Sequence, residues 1–286
     1  MPSALQEQFP RMILERIKGA DHLIFDVDLT LTVRQGTITP QLANALMSSG
    51  KTLGVATSRA NNELDEVFVG CGYPRAQLLR GPVILEDGGL IIHPGAPSTQ
   101  RMISDIQFKA VWEFIAHVRT NLSEPMQAGS PWRKLAGLDA PPVQMPEQYN
   151  YEVSASLWQD ISNGGLAHIE KVHTWCSNEL SRLGLQDKVR LLEIGDGTLR
   201  ISAPERDKGV ALAELHTQGV IDLSKTVYFG DGRNDIPAAQ VVQANGGAII
   251  VVDKHCPELM ALASFITPAQ GPEAIKQLLA ATARIT

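Results

Sequence analysis

Four short segments of this chain carry side chains able to do chemistry, and each follows an apolar run or opens a helical pattern. The first is Phe25-Asp26-Val27-Asp28-Leu29-Thr30, at the end of the strand-like stretch His22–Val27. Two carboxylates one residue apart leave a strand for a loop, where their side chains can converge on one point. One of them can attack phosphorus as a nucleophile, and the other can carry protons to and from the leaving and attacking oxygens. Two anions held so close repel unless a cation sits between them. Mg2+, with its preference for carboxylates, carbonyls and water, meets that need. The same Asp-x-Asp pattern also occurs as a plain capping turn.

The other three segments have simpler chemistry. In Val55-Ala56-Thr57-Ser58-Arg59, a hydroxyl at a strand end precedes a helix start, which can hold a phosphate oxygen through side chain and backbone N–H groups. Thr57 and Ser58 are the candidates there, and an ordinary helix cap is the competing account. Arg59 either supports the phosphate or forms a salt bridge. Lys208-Gly209 opens a helix behind Ala203-Pro204-Glu205-Arg206-Asp207, and its cation can neutralise a carboxylate nucleophile and the equatorial charge of a phosphoryl group. Considered alone, Lys208 reads rather as a solvated surface residue. Phe229-Gly230-Asp231-Gly232-Arg233-Asn234-Asp235 again runs from strand to loop. Asp231 is placed to ligate a metal, Asp235 to hold the metal's water, and Asn234 to donate to phosphate or substrate; a plain turn is the alternative.

The elements that must position these residues follow an α/β rhythm. Apolar runs of strand length alternate with amphipathic segments, as in βα units around a parallel sheet. The pattern predicts an accessory helix over 5–18, then strand 22–27, a helix from Thr39-Pro40 to Ser49, strand 52–56 and a helix from about Arg59 to Gly70. Val83–Leu85 and Leu90–His93 flank Asp87-Gly88-Gly89, a hairpin signal. Near Pro94 the character changes. A linker-like Pro-Gly-Ala-Pro-Ser leads to an amphipathic helix from about Gln100, then a Pro- and Gly-rich loop over 121–147 that holds Trp132-Arg133-Lys134. Strand 149–157, helix 166–183 and a hairpin about Gly195-Asp196-Gly197 complete an α+β module. From Lys208 the βα rhythm resumes with helix 208–217, strand 226–229, helix 236–243 and strand 248–252. Open α/β sheets bind ligands at the C-terminal ends of their strands, where these four segments fall.

Composition narrows the partners. The chain has 286 residues, 25 Lys+Arg against 31 Asp+Glu and a net charge of −6, with 44% hydrophobic residues. It lacks the basic footprint of a nucleic-acid binder, and no apolar run approaches the roughly 18 residues of a membrane span. The N-terminus shows no signal-peptide pattern. Cys71, Cys176 and Cys256 are too widely spaced for a zinc site or a disulfide framework. These features predict a cytoplasmic protein without nucleic-acid or membrane partners. His168 and His173 are five residues apart, about 140° around a helix, so they do not share a metal.

Taken in order, the four motifs resemble those of the haloacid dehalogenase superfamily, and the likeness covers core segments 22–92 and 202–286. The resemblance implies a Rossmann-like parallel-sheet core. It makes Asp26 the phosphorylated nucleophile, Asp28 the general acid/base, Thr57 a phosphate ligand and Lys208 the third-motif lysine. Asp26, Asp231 and Asp235 would form the Mg2+ site with the backbone carbonyl of Asp28. Leu29 departs from the pattern, standing where relatives carry glycine or another small or polar residue.

Only 26 residues separate Thr30 from Thr57, whereas 150 separate Thr57 from Lys208. A cap domain therefore fits only in the second interval. That placement resembles the Cof-type and sucrose-phosphate-phosphatase-like branch, whose members often show Asn-Gly where this chain has Asp87-Gly88. It implies a core over 1–92 and 202–286 with an α+β cap over 93–201. Trp132, Arg133 and Lys134 in that cap read first as an ordinary loop, with a grip on an anionic or sugar substrate as the alternative. The expected activity is Mg2+-dependent hydrolysis of a small phosphorylated metabolite, a sugar phosphate foremost. A sugar phosphomutase and a non-catalytic phosphate-binding module are the alternatives.

Overall fold

A computed structural model describes residues 9–33, 36–96, 98–122, 153–158, 165–195 and 198–285. Residues 1–8, most of the expected 121–147 loop with Trp132, Arg133 and Lys134, the Asp196-Gly197 turn, and the side chain of His168 lie outside this description. The chain divides into two units, Met1–Gln100 with Asp207–Thr286, and Arg101–Arg206.

Short runs, apolar and buried except at the polar β5 and half-buried β11, form an eight-stranded sheet that lies in the first unit but for Arg101 at the end of β5. Its strands are β1 (His22–Phe25), β2 (Thr52–Ala56), β3 (Val83–Leu85), β4 (Leu90–Ile92), β5 (Thr99–Arg101), β9 (Thr226–Gly230), β10 (Ala248–Val251) and β11 (Phe265–Ile266). The order is β11-β10-β9-β1-β2-β3-β4-β5. From β11 through β3 all pairs are parallel, and β4 returns antiparallel to β3. Parallel strands covered on both faces need continuous apolar sequence, which Leu-Ile-Phe, Val-Tyr-Phe and Ala-Ile-Ile-Val supply.

Chain order reverses about β1. From it the early chain runs outward to β2 and β3, and the late chain runs the other way to β9 and β10. The crevice beside such a reversal is the ordinary ligand position of this architecture. Phe25 of β1 pairs with Phe229 of β9, and their rings stack with centroids 4.6 Å apart. A stacked aromatic pair is worth about 1 kcal/mol beyond burial, and here it fixes the register that sets Asp26 level with Gly230.

The helices of this unit are α1 (Arg11–Gly19), α2 (Pro40–Ser48), α3 (Asn61–Val67), α4 (Arg75–Leu78), α7 (Lys208–Thr217), α8 (Ile236–Ala244), α9 (Pro257–Met260) and α10 (Gly271–Thr282). Thr39 caps α2 by accepting from Leu42 N, with Pro40 in the first turn. The helix expected from Arg59 starts later, at Asn61. Thr57–Ala60 first makes a turn in which Arg59 N–H donates to Thr57 Oγ1, and Glu63 reaches back to accept from Ala60 N–H at 2.7 Å.

The second unit contains α5 (Asp105–Leu122), β6 (Ala155–Trp158), α6 (Gly165–Leu183), β7 (Arg190–Gly195) and β8 (Thr198–Ser202). The strands form an antiparallel sheet ordered β6-β8-β7. The amphipathic helix expected from Gln100 begins at Asp105 instead. Ser104 and Gln107 cap one another's backbone N–H groups, a reciprocal stop that leaves Thr99–Arg101 to β5. Val111, Phe114, Ile115 and Val118 are the buried face of α5. His173 faces Glu193 at 3.8 Å.

All three cysteines are buried and unbridged, and burial together with Glu179 pushes the Cys176 thiol up to about 12. Among the described residues no helix is long and apolar enough to cross a membrane.

Candidate active site

Asp26 is the first residue beyond β1, and its N–H still donates to Phe229 O at 2.8 Å, so the sheet ladder holds its backbone. The residue is 5% exposed. Lys208, the first residue of α7, is wholly buried, and its Nζ donates to Asp26 Oδ1 at 2.6 Å and to Asp235 Oδ1 at 2.7 Å. The helix start is fixed by Asp207, which accepts from Val210 N–H at 2.9 Å. A surface position for Lys208 is thereby excluded. Burial works against its charged form, yet Asp235, Asp26 and Asp87 outweigh that cost and hold its pKa above the ordinary lysine range.

Asp235 is the most heavily bonded carboxylate of the site. Its Oδ1 accepts from Lys208 and from the hydroxyl of Tyr228 at 2.6 Å, and its Oδ2 accepts from the N–H groups of Asp231 and Gly232 at 3.0 and 3.1 Å. A carboxylate has about four acceptor directions, and these four donors occupy them. Gly230 makes the arrangement possible, because a Cβ there would lie 2.6 Å from Asp235 Oδ2. Asp235 is thus foremost a strut between Lys208 and the loop after β9. Tyr228 is a member of the site that the motif reading missed. The available signal was a hydroxyl in a fully buried strand, which must find a partner.

Asp231 accepts from Thr30 Oγ1 at 3.1 Å. The carboxylate oxygens of Asp26, Asp231 and Asp235 lie within 4.8 Å of one another. Burial first, and the neighbouring carboxylates second, raise Asp26 well above the carboxylate range against the pull of Lys208. Burial and Asp235 bring Asp231 to about 7. One ammonium among two buried carboxylates and a half-buried third leaves negative charge uncompensated, and the donors are all hard oxygens. This set fits a hard divalent cation.

That electrostatic load gives a pH signature. The folded pKa of Asp231 lies above its unfolded value near the ordinary carboxylate range, so its stabilising contribution is complete below that range and is lost as pH rises through about 7. Chelator-treated protein should therefore lose stability as pH rises from about 4 to about 7, by roughly a few kcal/mol. Asp231→Asn should flatten this dependence in urea unfolding curves; an unchanged slope would contradict the assignment.

Asp28 does not converge with Asp26. Its two oxygens accept from Arg59 Nη2 at 2.7 Å and Nε at 2.9 Å, a bidentate fork, and Arg59 also donates to Glu63 O. Arg59 is therefore spent on Asp28. Thr57 lies one residue beyond the point where β2 runs level with Asp26, and it is fully buried. Ser58 is half-buried beside it. Asn234 sits in the turn Arg233–Asp235, with its Oδ1 turned toward Gly232.

Leu29, the residue that departs from the motif, has φ of 58° and is 38% exposed. A left-handed backbone costs a leucine about 1–2 kcal/mol. Its carbonyl lies so close to Gly271 that a Cβ there would approach it at 2.8 Å, so the loop is pinned from below. Leu29→Gly should raise unfolding stability by about 1 kcal/mol, and a loss of stability would show that the side chain supports the loop.

Residues 167–279 match the sequence model of the haloacid dehalogenase-like hydrolase family. No curated protein matches the chain in sequence. Among solved structures, the chain is similar to Thermoplasma acidophilum 0175, with 16% identity, a TM-score of 0.63 and coverage of 93% of this chain and 99% of that one. It is similar to a haloacid dehalogenase-like hydrolase from Bacteroides thetaiotaomicron, with 18% identity, TM-score 0.61 and coverage of 93% and 100%. The sucrose-phosphatase of Synechocystis sp. PCC6803, solved with sucrose and phosphate, shares 19% identity, TM-score 0.55 and coverage of 93% and 98%. These likenesses establish the fold, and the family model spans the lysine and the acidic loop after β9. Residues 167–279 are thus similar in sequence to the haloacid dehalogenase-like hydrolases, and the chain shares the fold of a solved protein of that description.

Proposed function

We propose that the chain is a Mg2+-dependent phosphatase acting on a small phosphorylated metabolite, foremost a sugar phosphate. The observation that carries this reading is Lys208, buried and bonded to both Asp26 and Asp235 beside Asp231. A divalent cation held by Asp26 and Asp231, with Asp235 behind them and the Asp28 carbonyl alongside, would offset the charge of the phosphoryl group in transfer. In this reading Asp26 attacks phosphorus, and the bond to the alcohol oxygen breaks as Asp28 gives that oxygen a proton. Asp28 then takes a proton from water, whose oxygen displaces Asp26 and releases inorganic phosphate. Lys208 keeps one Asp26 oxygen in place while the other reacts. Thr57, Ser58 and Asn234 supply donors to the phosphate, and Arg59 orients Asp28. The second unit, in the role of a cap, would select the alcohol part of the ester.

Two relatives support the sugar-phosphate class: the sucrose-phosphatase and the subclass IIB sugar phosphatase BT4131 share this fold. The test is release of inorganic phosphate from a panel of phosphorylated metabolites with Mg2+. Hydrolysis of sugar monophosphates is expected. Failure across the whole panel would overturn the reading, and an isomeric sugar phosphate without release would identify a mutase.

A further inference from the structure

Three helices of the first unit end at one place. α1 stops at Gly19 and α2 at Ser48, just before β1 and β2 begin, and the chain beyond α10 meets them where Lys18 Nζ donates to Ile285 O at 2.8 Å. This is the N-terminal end of the strands, whereas Asp26 and Thr57 follow the C-terminal ends. The five residues of β2 alone hold the two ends about 17 Å apart. Between the helices lies a cleft of about 400 Å³, an ordinary size for a small-molecule site. Its walls are apolar: Ile17 from α1, Ala45 from α2, and Leu279 and Ala280 from α10.

The charge around this cleft is one-sided. Three of the chain's ten lysines, Lys18, Lys51 and Lys276, line it, and among the described residues no carboxylate does. Lys276 is matched by Glu273 at 2.5 Å. Lys18 and Lys51 meet only main-chain carbonyls among the described residues. Lys51 Nζ donates to Lys18 O at 2.5 Å and to Ala20 O at 2.7 Å, and Lys18 Nζ donates to Ile285 O. An ammonium has three donors, so each lysine keeps at least one for a ligand. The carbonyl end of a helix carries about half a negative charge, and three such ends amount to less than two ammonium groups. The small surplus suits a monoanion. A phosphate dianion is better served by helix N-termini, and here all three helices present the opposite end.

We propose that this cleft binds an amphipathic carboxylate of the medium-chain fatty-acid class, with its carboxylate on Lys18 and Lys51 and its hydrocarbon along Ile17, Leu279 and Ala280. The site is separate from the acidic cluster and stands apart from the phosphatase reading. Octanoate, titrated by calorimetry into the metal-free protein below its micellar concentration, should bind one per chain, and inorganic phosphate should not displace it. Lys18→Gln should weaken binding by about tenfold, the worth of one charge-assisted hydrogen bond, at an unchanged melting temperature. The neutral alcohol 1-octanol should bind the wild-type protein more weakly by about the same factor. Ala280→Phe should abolish binding by filling the cleft while keeping both lysines, and its melting temperature reports whether it folds. Absence of octanoate binding to the wild-type protein would overturn the proposal, as would equal affinities for octanoate and octanol or an unchanged affinity in Lys18→Gln. A dimer in sedimentation that Ala280→Phe dissociates would also overturn it, because the cleft would then be covered by a second copy of the chain.

Discussion

Asp26→Asn should reduce phosphate-ester hydrolysis by at least roughly a thousandfold, because it removes the only atom proposed to bond to phosphorus. The substitution is conservative in every other respect. Asparagine keeps an oxygen that accepts from Lys208, and the backbone N–H of residue 26 keeps its bond to Phe229 O. One of the mutually repelling carboxylates is also gone, so the melting temperature should hold or rise. The decisive comparison pairs turnover with the circular dichroism spectrum of the same preparation. A variant that retains a tenth of wild-type activity would show that Asp26 is not the nucleophile. Chemical trapping adds a second readout: denaturing the wild-type protein during turnover should leave phosphate on the chain, and the variant should remain unlabelled.

The second large effect concerns stability. Lys208→Met keeps the length of the side chain and removes the ammonium from between two buried carboxylates. Breaking a buried pair by deleting one partner costs about 3–5 kcal/mol, because the surviving charges are left without compensation. The loss should be greatest above neutral pH. Asp26 already has a raised pKa, chiefly through burial and despite Lys208, and deleting that ammonium would raise it further. Protonation at lower pH would then relieve the strain, so the gap between variant and wild type should narrow as pH falls. Urea unfolding at pH 8 and pH 5, without metal, measures both values. A pH-independent difference would mean that Lys208 stabilises by packing alone.

Much of this site was legible from residue types and order. Apolar runs ending in Asp26, Thr57 and Asp231 were identifiable as strands with functional ends because a buried parallel strand needs continuous hydrophobic sequence. What sequence spacing could not supply was the direction of side chains in loops. Asp26 and Asp28 are one residue apart, yet one turns to Lys208 and the other to Arg59, a choice made by partners distant in the chain. Tyr228 escaped notice because an aromatic residue in a buried strand resembles core packing until its hydroxyl is located. Asp87-Gly88 reads from sequence as a hairpin signal and as the counterpart of the relatives' Asn-Gly, since nothing local reveals that the turn touches the start of α7. The missed strand β5 is three residues of polar sequence, Thr-Gln-Arg, which no hydrophobic pattern marks. Its existence depends on the edge offered by β4.

The reversal of strand order about β1 also bears on how the chain is made. β1 lies mid-sheet between β2 and β9, but 200 residues separate its end from the start of β9. At ribosomal speeds of about 5–20 residues per second, β1 waits roughly 10–40 s for that neighbour. During the interval β2 and β3 can pair along one side, and the other side remains an open edge of Leu23, Ile24 and Phe25. Such an edge is a template for pairing with other chains. The acidic loop after β1 borders that edge, and its Asp26 is without its ion-pair partner until Lys208 arrives. Charged side chains at a strand edge disfavour such pairing, so Asp26 and Asp28 at the end of β1 make that edge a poorer template while it is open.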